Sequence, residues 1–465
     1  MSKLHKELGE NMRKILYVGI VTVLLSLSTS GSYISHTNFV CPAHSSDFDP
    51  LVDLSINVSI ERVRTLEIEI NNPPTFVVKI SVGDQTWESE AVQGFDVMNV
   101  GTAHFNIPDD KEEVAITTEV IKNGMQADIS KEGKNLEIIY NVLTGDWSGD
   151  DFVADQSGYG HASGHEDGIV NDSDCELWLD ISFNDYDGDG LTYWEEVNIY
   201  GTDPKINDMG RDDDGDFLPI EWEDHWGYDP FIADNHSTLD PDKDGLQNTE
   251  EYMMEKWFAD PFRQDIYIEN DYVESDGKYT PVMPTESIQM QYSAFTKHNI
   301  MLLIDNGIMG GSEKIPYADY NEWEDFHDIY EAYFLHHDQD NPRKGVFHYA
   351  VIAHEFNGFG RGVGGFNFRK DAFVVCSTYI QKWRPWEEGM IIGHGGSYMH
   401  ELGHQLGLPH LRVFPWQILY WLSWNYKSCM NYRYNFKIVD YSDGSHGFMD
   451  RDEWDNLDLQ RFERE

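Results

Sequence analysis

The chain has 465 residues, 40% of them hydrophobic and 14% aromatic, which supplies packed cores and excludes wholesale disorder. It carries 83 acidic against 33 basic residues, a formal net charge of −50. That sign argues against nucleic acid as a partner, since phosphate binding needs cationic surface. Halophilic solubility, calcium binding and a well-solvated secreted surface remain, and the placement of the acids decides among them.

Lys3, Lys6, Arg13 and Lys14 precede an apolar run from Ile15 to Leu27, followed by small residues through Ser32. Residues 1–32 therefore predict a secretory signal or an N-terminal anchor. The run is shorter than the about 17–25 residues of a comfortable membrane span. The expected location is secreted or on the extracellular cell surface, with membrane contact only through such an anchor. Four cysteines, Cys41, Cys175, Cys376 and Cys429, allow three pairings. Cys376 and Cys429 fall in the same C-terminal region, so Cys376–Cys429 with Cys41–Cys175 is the expected set, and buried free thiols are the alternative.

Within residues 48–143 the apolar positions alternate. Leu54, Ile56, Val58 and Ile60 form one stripe, Leu66, Ile68 and Ile70 a second, and Val78, Ile80 and Val82 a third. Turn signals such as Asn72-Pro73-Pro74 and Lys122-Asn123-Gly124 separate six or seven such runs, which predicts an antiparallel β-sandwich. It reads as a spacer or binding module, with an inhibitory pro-segment as the sharper alternative. Residues 144–180 turn to Gly, Ser, Asp and His and read as a polar linker. There His161 and His165 could bind a metal or simply belong to a polar loop.

Residues 181–261 hold the acids. Asp185, Asp187 and Asp189 with Glu196 at the twelfth position fit D-x-D-x-D-G-x5-E, and Asp240, Asp242, Asp244 and Glu251 fit it again. Asp212, Asp214, Asp216 and Glu223 keep the acids, but Phe217 replaces the glycine. Each loop is followed by a short helical stretch and an Asp-Pro, which makes an internal repeat. Carboxylates at positions 1, 3 and 5 converge on one point, and the glutamate closes the oxygen cage that Ca²⁺ prefers. With no clear incoming helix, these loops resemble half EF-hands of the thrombospondin type 3 or dockerin kind. Clustering of this sort favours calcium over halophilic adaptation.

Residues 262–465 alternate strand and helix. Asp265–Ile268, Ile300–Ile304, Val346–Ala353 and Ala372–Ser377 read as strands, with helices over about 285–298 and 320–335. Phe326, Tyr330 and Tyr333 are expected inward, and the strand near Ala372 is expected at a sheet edge, open to substrate by β-addition. The glycine-rich run 358–365 lacks the strand-then-helix context of a nucleotide site.

His400-Glu401-Leu402-Gly403-His404-Gln405-Leu406-Gly407-Leu408-Pro409-His410 reads H-E-x-x-H-x-x-G-x-x-H. On a helix His400 and His404 leave one face a turn apart, which is the reach two ligands need to share a zinc ion. Gly407 can take the left-handed backbone that ends a helix and returns His410 as third ligand. Glu401 stands where it can hold a water and take its proton. About twenty residues on comes Ser428-Cys429-Met430-Asn431-Tyr432. The zinc helix followed by a Met-containing turn resembles the metzincin metalloproteases. Leu411 after the third histidine leaves the family within that clan unassigned. The resemblance covers roughly the last 200 residues and implies an α/β zinc peptidase domain. It also implies Met430 as the floor beneath the metal, and Tyr432 matches the tyrosine that astacin-like and serralysin-like members place near it.

The expectation is a multidomain protein: N-terminal antiparallel β-sandwich, calcium-loop segment, and C-terminal α/β metzincin-like domain. Its expected function is that of a zinc endopeptidase acting on protein or peptide substrates, with Zn²⁺ catalytic, Ca²⁺ structural and Glu401 the general base. The alternative is an inactive, calcium-dependent surface-binding protein.

Overall fold

In the computed structural model, the strand Ser55–Thr65 buries Ile56, Val58 and Ile60 and leaves Ser55, Asn57 and Ser59 half-exposed. This is the period-two signature of a sheet covered on one face. The structure describes residues 54–67, 72–131, 134–150, 160–169, 173–183, 185–320, 322–356, 358, 362–411 and 418–462. The expected signal or anchor and Cys41 lie outside them.

Ser55–Thr65 belongs to a four-stranded antiparallel sheet in the order Gly160–Ser163, Cys175–Phe183, Ser55–Thr65, Asp96–Asn106. A second antiparallel sheet has seven strands, five of them in the order Gln85–Glu88, Thr75–Val82, Glu113–Lys122, Asn135–Asn141, Trp147–Gly149. One core joins the two, with Ile56, Val58 and Phe105 from the first sheet against Phe76, Val78, Ile116 and Ile138 from the second. The sandwich is there, but its boundary is corrected. Cys175–Phe183 pairs with Ser55–Thr65 from Thr65↔Cys175 to Ile56↔Phe183, so the segment read as a polar linker supplies an inner strand. Leu177, Leu179 and Ile181 are buried there, and the Gly/Asp-rich stretch before them conceals this short alternation.

A β-bulge between Ile60 and Arg62 shifts the register of Ser55–Thr65 against both of its neighbours. Beyond it Arg62 and Arg64 are wholly buried. Arg62 donates to Asp96. Arg64 pairs with Glu176, donates to the Leu302 carbonyl at 3.2 Å, and lies 4.3 Å from the Tyr292 ring centroid. The pairing with Arg64, followed by the His161 hydrogen bond, outweighs burial and holds the Glu176 carboxyl far below its usual range, although burial is the largest single influence.

The third sheet runs Met301–Asp305, Asp265–Val273, Phe347–Ala353, Ala372–Cys376, Gly365–Asn367, with Lys314–Ile315 pairing Asp265–Val273. All pairings are parallel except that of Gly365–Asn367, which closes the edge antiparallel. Ala372–Cys376 is therefore an inner strand, not the expected edge. Helices Thr285–Thr296 and Glu387–Gln405 cover one face around Ile268, Phe295, Leu302, Tyr398 and Leu402. The other face packs Tyr267, Leu303 and Tyr349 against Phe326 and Tyr330. The helix expected over 320–335 runs Trp323–Ile329 and widens into a π-helical turn over Tyr330–Phe334, so Phe334 is buried and Tyr333 only half-buried.

The expected fold class is corrected. The four- and seven-stranded antiparallel sheets outweigh the six-stranded mixed one. Residues 50–465 form one compact unit, not a string of domains. The physical reason is a shared core: Trp178 of the sandwich packs in one cluster with Leu246 and Phe258 of the acidic segment and Tyr267 of the third sheet. The expected Cys376–Cys429 disulfide is also corrected. Both are buried free thiols, Cys376 in the core on one face of the third sheet and Cys429 in the core on the other.

Removing one partner of a buried ion pair strands the other, which costs about 3–5 kcal/mol. Arg64→Ala should therefore lower stability by about that amount, and because the core is continuous, unfolding should stay a single transition. Calorimetry on the full chain checks both. Separate sandwich and C-terminal transitions would contradict the shared core.

Candidate metal centres

The helix Glu387–Gln405 ends where the sequence can turn. Gly407 has φ +89°, the Leu408 N–H bonds back to the Gly403 carbonyl at 2.7 Å, and the chain reverses toward His410. Leu411 then bridges in parallel to Asn431, and its N–H donates to the Met430 carbonyl at 3.0 Å. This staples the turn carrying Met430 under the helix. Met430 is buried, and a Cβ added at Gly403 would stand 2.7 Å from its sulfur.

His400, His404 and His410 each bring one ring nitrogen within 4.8 Å of the others. Nδ1 of His400 lies 2.8 Å from the Cys429 carbonyl, and Nδ1 of His404 lies 2.8 Å from the Leu408 carbonyl. A carbonyl only accepts, so both Nδ1 atoms carry the proton and both Nε2 atoms keep a lone pair, the tautomer a metal ligand needs. The residues fit a zinc ion. Tyr432 stacks on His410, with ring centroids 5.0 Å apart and planes 8° apart, and its hydroxyl is 3.3 Å from His410 Nε2.

Glu401 is 6% exposed, and burial pushes its carboxyl up to about 8. Asn367 opposes this by donating to the carboxylate at 2.8 Å, and it also reaches the Glu401 carbonyl at 3.0 Å. Asn367 lies on the edge strand Gly365–Asn367, whose glycine lets the strand approach: a Cβ at Gly365 would sit 2.7 Å from Glu401 Cγ. The edge strand and the general-base candidate are thus neighbours. No motif surrounds Asn367, so the sequence did not single it out.

The acidic loops share one hydrogen-bond plan. Asp185, Asp212 and Asp240 accept from the N–H of Gly190, Phe217 and Gly245, which have φ of +97°, +91° and +98°. Asp189, Asp216 and Asp244 accept from the N–H groups of buried Leu191, Leu218 and Leu246. Their second oxygens accept from the N–H of Asp208, Asp234 and Asp265, the closing partners the motif did not name. Other oxygens are buried without a hydrogen-bond partner among the described residues: both of Asp187, of Glu223 and of Glu251, with one each of Glu196, Asp214, Asp240 and Asp242. Burial, then Asp189 and Asp185, raise Asp187 to about 6. Burial, then Asp189, raises Glu196 to about 8. Grouped oxygens of this kind can hold a metal ion.

Three other histidines lie away from these centres. His161 faces Glu176 at 2.7 Å inside a strand, and His165 faces Asp174 at 3.3 Å, so neither lies in the polar loop that was one expectation. His394 is buried against Ser377 at 2.9 Å.

No family model and no curated protein matches the chain. Among solved structures it is similar to the paired C2 domains of extended synaptotagmin 2, at 15% identity and a TM-score of 0.18 over 28% of this chain. That match spans 40% of the other chain. It is also similar to a C2 domain of plant extended synaptotagmin 1, at 11% identity and 0.17, covering 29% of this chain and 96% of that one. A third is human GIVD cytosolic phospholipase A2, at 8% identity and 0.18, covering 29% and 17%. Scores this low carry no argument about function. The metzincin-like α/β fold expected from the motif is withdrawn as a fold class because antiparallel sheet predominates.

Because Gly403 lies against Met430, Gly403→Ala overpacks the turn. It should cost on the order of 1–3 kcal/mol. Thermal unfolding of the variant checks this, and unchanged stability would place the turn farther from the helix.

Proposed function

We propose that this chain is a zinc-dependent endopeptidase, secreted or held at the cell surface, whose zinc motif and Met-turn resemble those of the metzincin metalloproteases. The observation that carries the reading is the convergence of three imidazoles, two of them with Nδ1 committed to a backbone carbonyl. His400, His404 and His410 would hold the ion. Bound there, zinc would supply Lewis acidity, lowering the pKa of water to about 7 and polarising a carbonyl.

The chain's own groups do the rest. Glu401 takes the proton of the attacking water and passes it to the leaving amine, while Asn367 fixes the orientation of its carboxylate. The outer edge of Gly365–Asn367 offers backbone groups to an extended peptide, beside Glu401 and at the rim of the sheet. The Tyr432 hydroxyl, on the His410 side, is a donor for developing negative charge on the peptide oxygen. Calcium in the loops at Asp185–Glu196 and Asp240–Glu251 would take up the buried carboxylate oxygens.

Glu401→Gln keeps the shape but cannot accept a proton, so peptidase activity on a mixed peptide library should fall by about 10²–10⁴-fold. A wild-type chain with no activity beyond that variant would instead favour the calcium-dependent surface-binding protein. A calcium-selective chelator should open the segment from Asp185 to Pro261 to limited proteolysis, and restored Ca²⁺ should close it with zinc left in place. Equal protection in both conditions, with no calcium uptake by calorimetry, would reduce these loops to an acidic solvated surface.

A further inference from the structure

The three acidic loops share their hydrogen bonds, but they differ in what faces them. Two residues beyond the closing Asp208, Asp234 and Asp265 stand Gly210, His236 and Tyr267. Glycine offers nothing, and the Tyr267 hydroxyl is turned to the Trp257 carbonyl at 3.3 Å. His236 alone is aimed at its loop: Nε2 lies 3.3 Å from Asp216 and 3.6 Å from Glu223.

All three groups are buried. Glu223 and His236 are 0% exposed and Asp216 6%. Both Glu223 oxygens and His236 Nε2 have no hydrogen-bond partner among the described residues. The imidazole is fixed by its walls, edge-on to Trp222 at 5.9 Å and to Tyr228 at 4.8 Å. Phe217, which stands where the outer loops have glycine, adopts the same left-handed backbone (φ +91°) with its ring half outside, so the loop keeps its shape.

We propose that this middle loop is a second transition-metal site, in which Asp216, Glu223 and His236 bind a zinc-class ion in preference to calcium. Calcium takes oxygen ligands almost exclusively, whereas imidazole suits zinc, copper, iron and nickel. Two carboxylates and one imidazole in a dry, aromatic-walled pocket are a borderline-metal donor set. Asn248 sets the tautomer from the far side of the ring. Its amide lies 2.9 Å from His236 Nδ1, and its Oδ1 has no partner in the present orientation. A half-turn of that amide lets Oδ1 accept from Nδ1–H and gives Nε2 its lone pair. In the other orientation the Nε2–H only faces the two carboxylates, at 3.3 and 3.6 Å, and no ion is needed. The site lies outside the His400 centre and stands whether or not that centre hydrolyses peptides.

The test uses the full chain carrying His404→Ala, which disables the first centre, in excess Ca²⁺ and titrated with Co²⁺ alone. About one equivalent of Co²⁺ should bind, with a visible d–d band, and X-ray absorption should show one imidazole among oxygen ligands. Adding His236→Gln should abolish that equivalent. His446→Gln, which alters the exposed group of Asp443, His446 and Asp450, should leave it in place, and this variant keeps the test valid if His236→Gln fails to fold. No Co²⁺ uptake, an all-oxygen shell, or uptake lost with His446→Gln would each overturn the proposal.

Discussion

The constraint on which the rest of the molecule depends is electrostatic: a large share of its carboxylates are buried beside other carboxylates. Two such groups about 4 Å apart repel by on the order of 1–4 kcal/mol between the dielectric of water and that of a protein surface. Burial raises Asp187 to about 6, Glu196 to about 8 and Glu255 to about 7, and it raises Asp242, Asp244, Glu251 and Asp265 as well. An acid whose folded pKa is raised binds more protons folded than unfolded. Its contribution therefore favours folding at low pH and is lost as pH rises through the folded value. At neutral pH these groups pull against the fold, and bound cations reverse the sign. Because Leu246 and Phe258 share a core with Trp178 and Tyr267, that balance reaches the sandwich and the third sheet.

The His400 centre meets a different constraint, one of distance. A helix can carry a metal motif only if its neighbours come close enough to orient each ligand. Here small residues make the approach possible: Gly403 admits Met430, and Gly365 admits the edge strand to Glu401. The Cys429 carbonyl orients His400 from the same turn that Met430 anchors. Leu411, two hydrogen bonds from that turn, is a backbone staple at the position after the third histidine.

The sequence was most legible where chemistry fixes spacing. His400, His404 and His410 needed only a helix and a left-handed glycine, and the acidic loops only their own register. The alternation at Ile56, Val58, Val78 and Ile80 was equally plain. What stayed hidden depends on partners distant in the chain. Leu177, Leu179 and Ile181 make too short a stripe to outweigh the polar run before them, so the inner strand passed for linker. Ala372–Cys376 reads as any buried strand, and only its pairing with Gly365–Asn367 removes it from the edge. Asn367 and His236 belong to no motif; they are defined by what they face. Shared compartment and region suggested Cys376–Cys429, but the third sheet stands between the two cores that hold them.

The third acidic loop and the helix Glu387–Gln405 are also joined physically, by the last described residues. Gly245, at the turn of that loop, packs so closely on the tail that a Cβ there would meet Gln460 Cα at 2.9 Å. Gln460 donates to Asp240 at 2.9 Å, inside the loop. On its other side the tail reaches the end of the helix. The Asp458 N–H bonds to the Leu406 carbonyl at 2.9 Å, and Arg461 donates to the His404 carbonyl at 3.3 Å. These carbonyls belong to the last turn of a helix, where intrahelical partners run out. A second link leaves the same loop at Asp244, which accepts from the N–H of Asp265 as it opens an inner strand of the third sheet. The loop thus touches both the sheet under the helix Glu387–Gln405 and the tail that caps it, so a cation ordering those carboxylates would also tighten the backbone around His404.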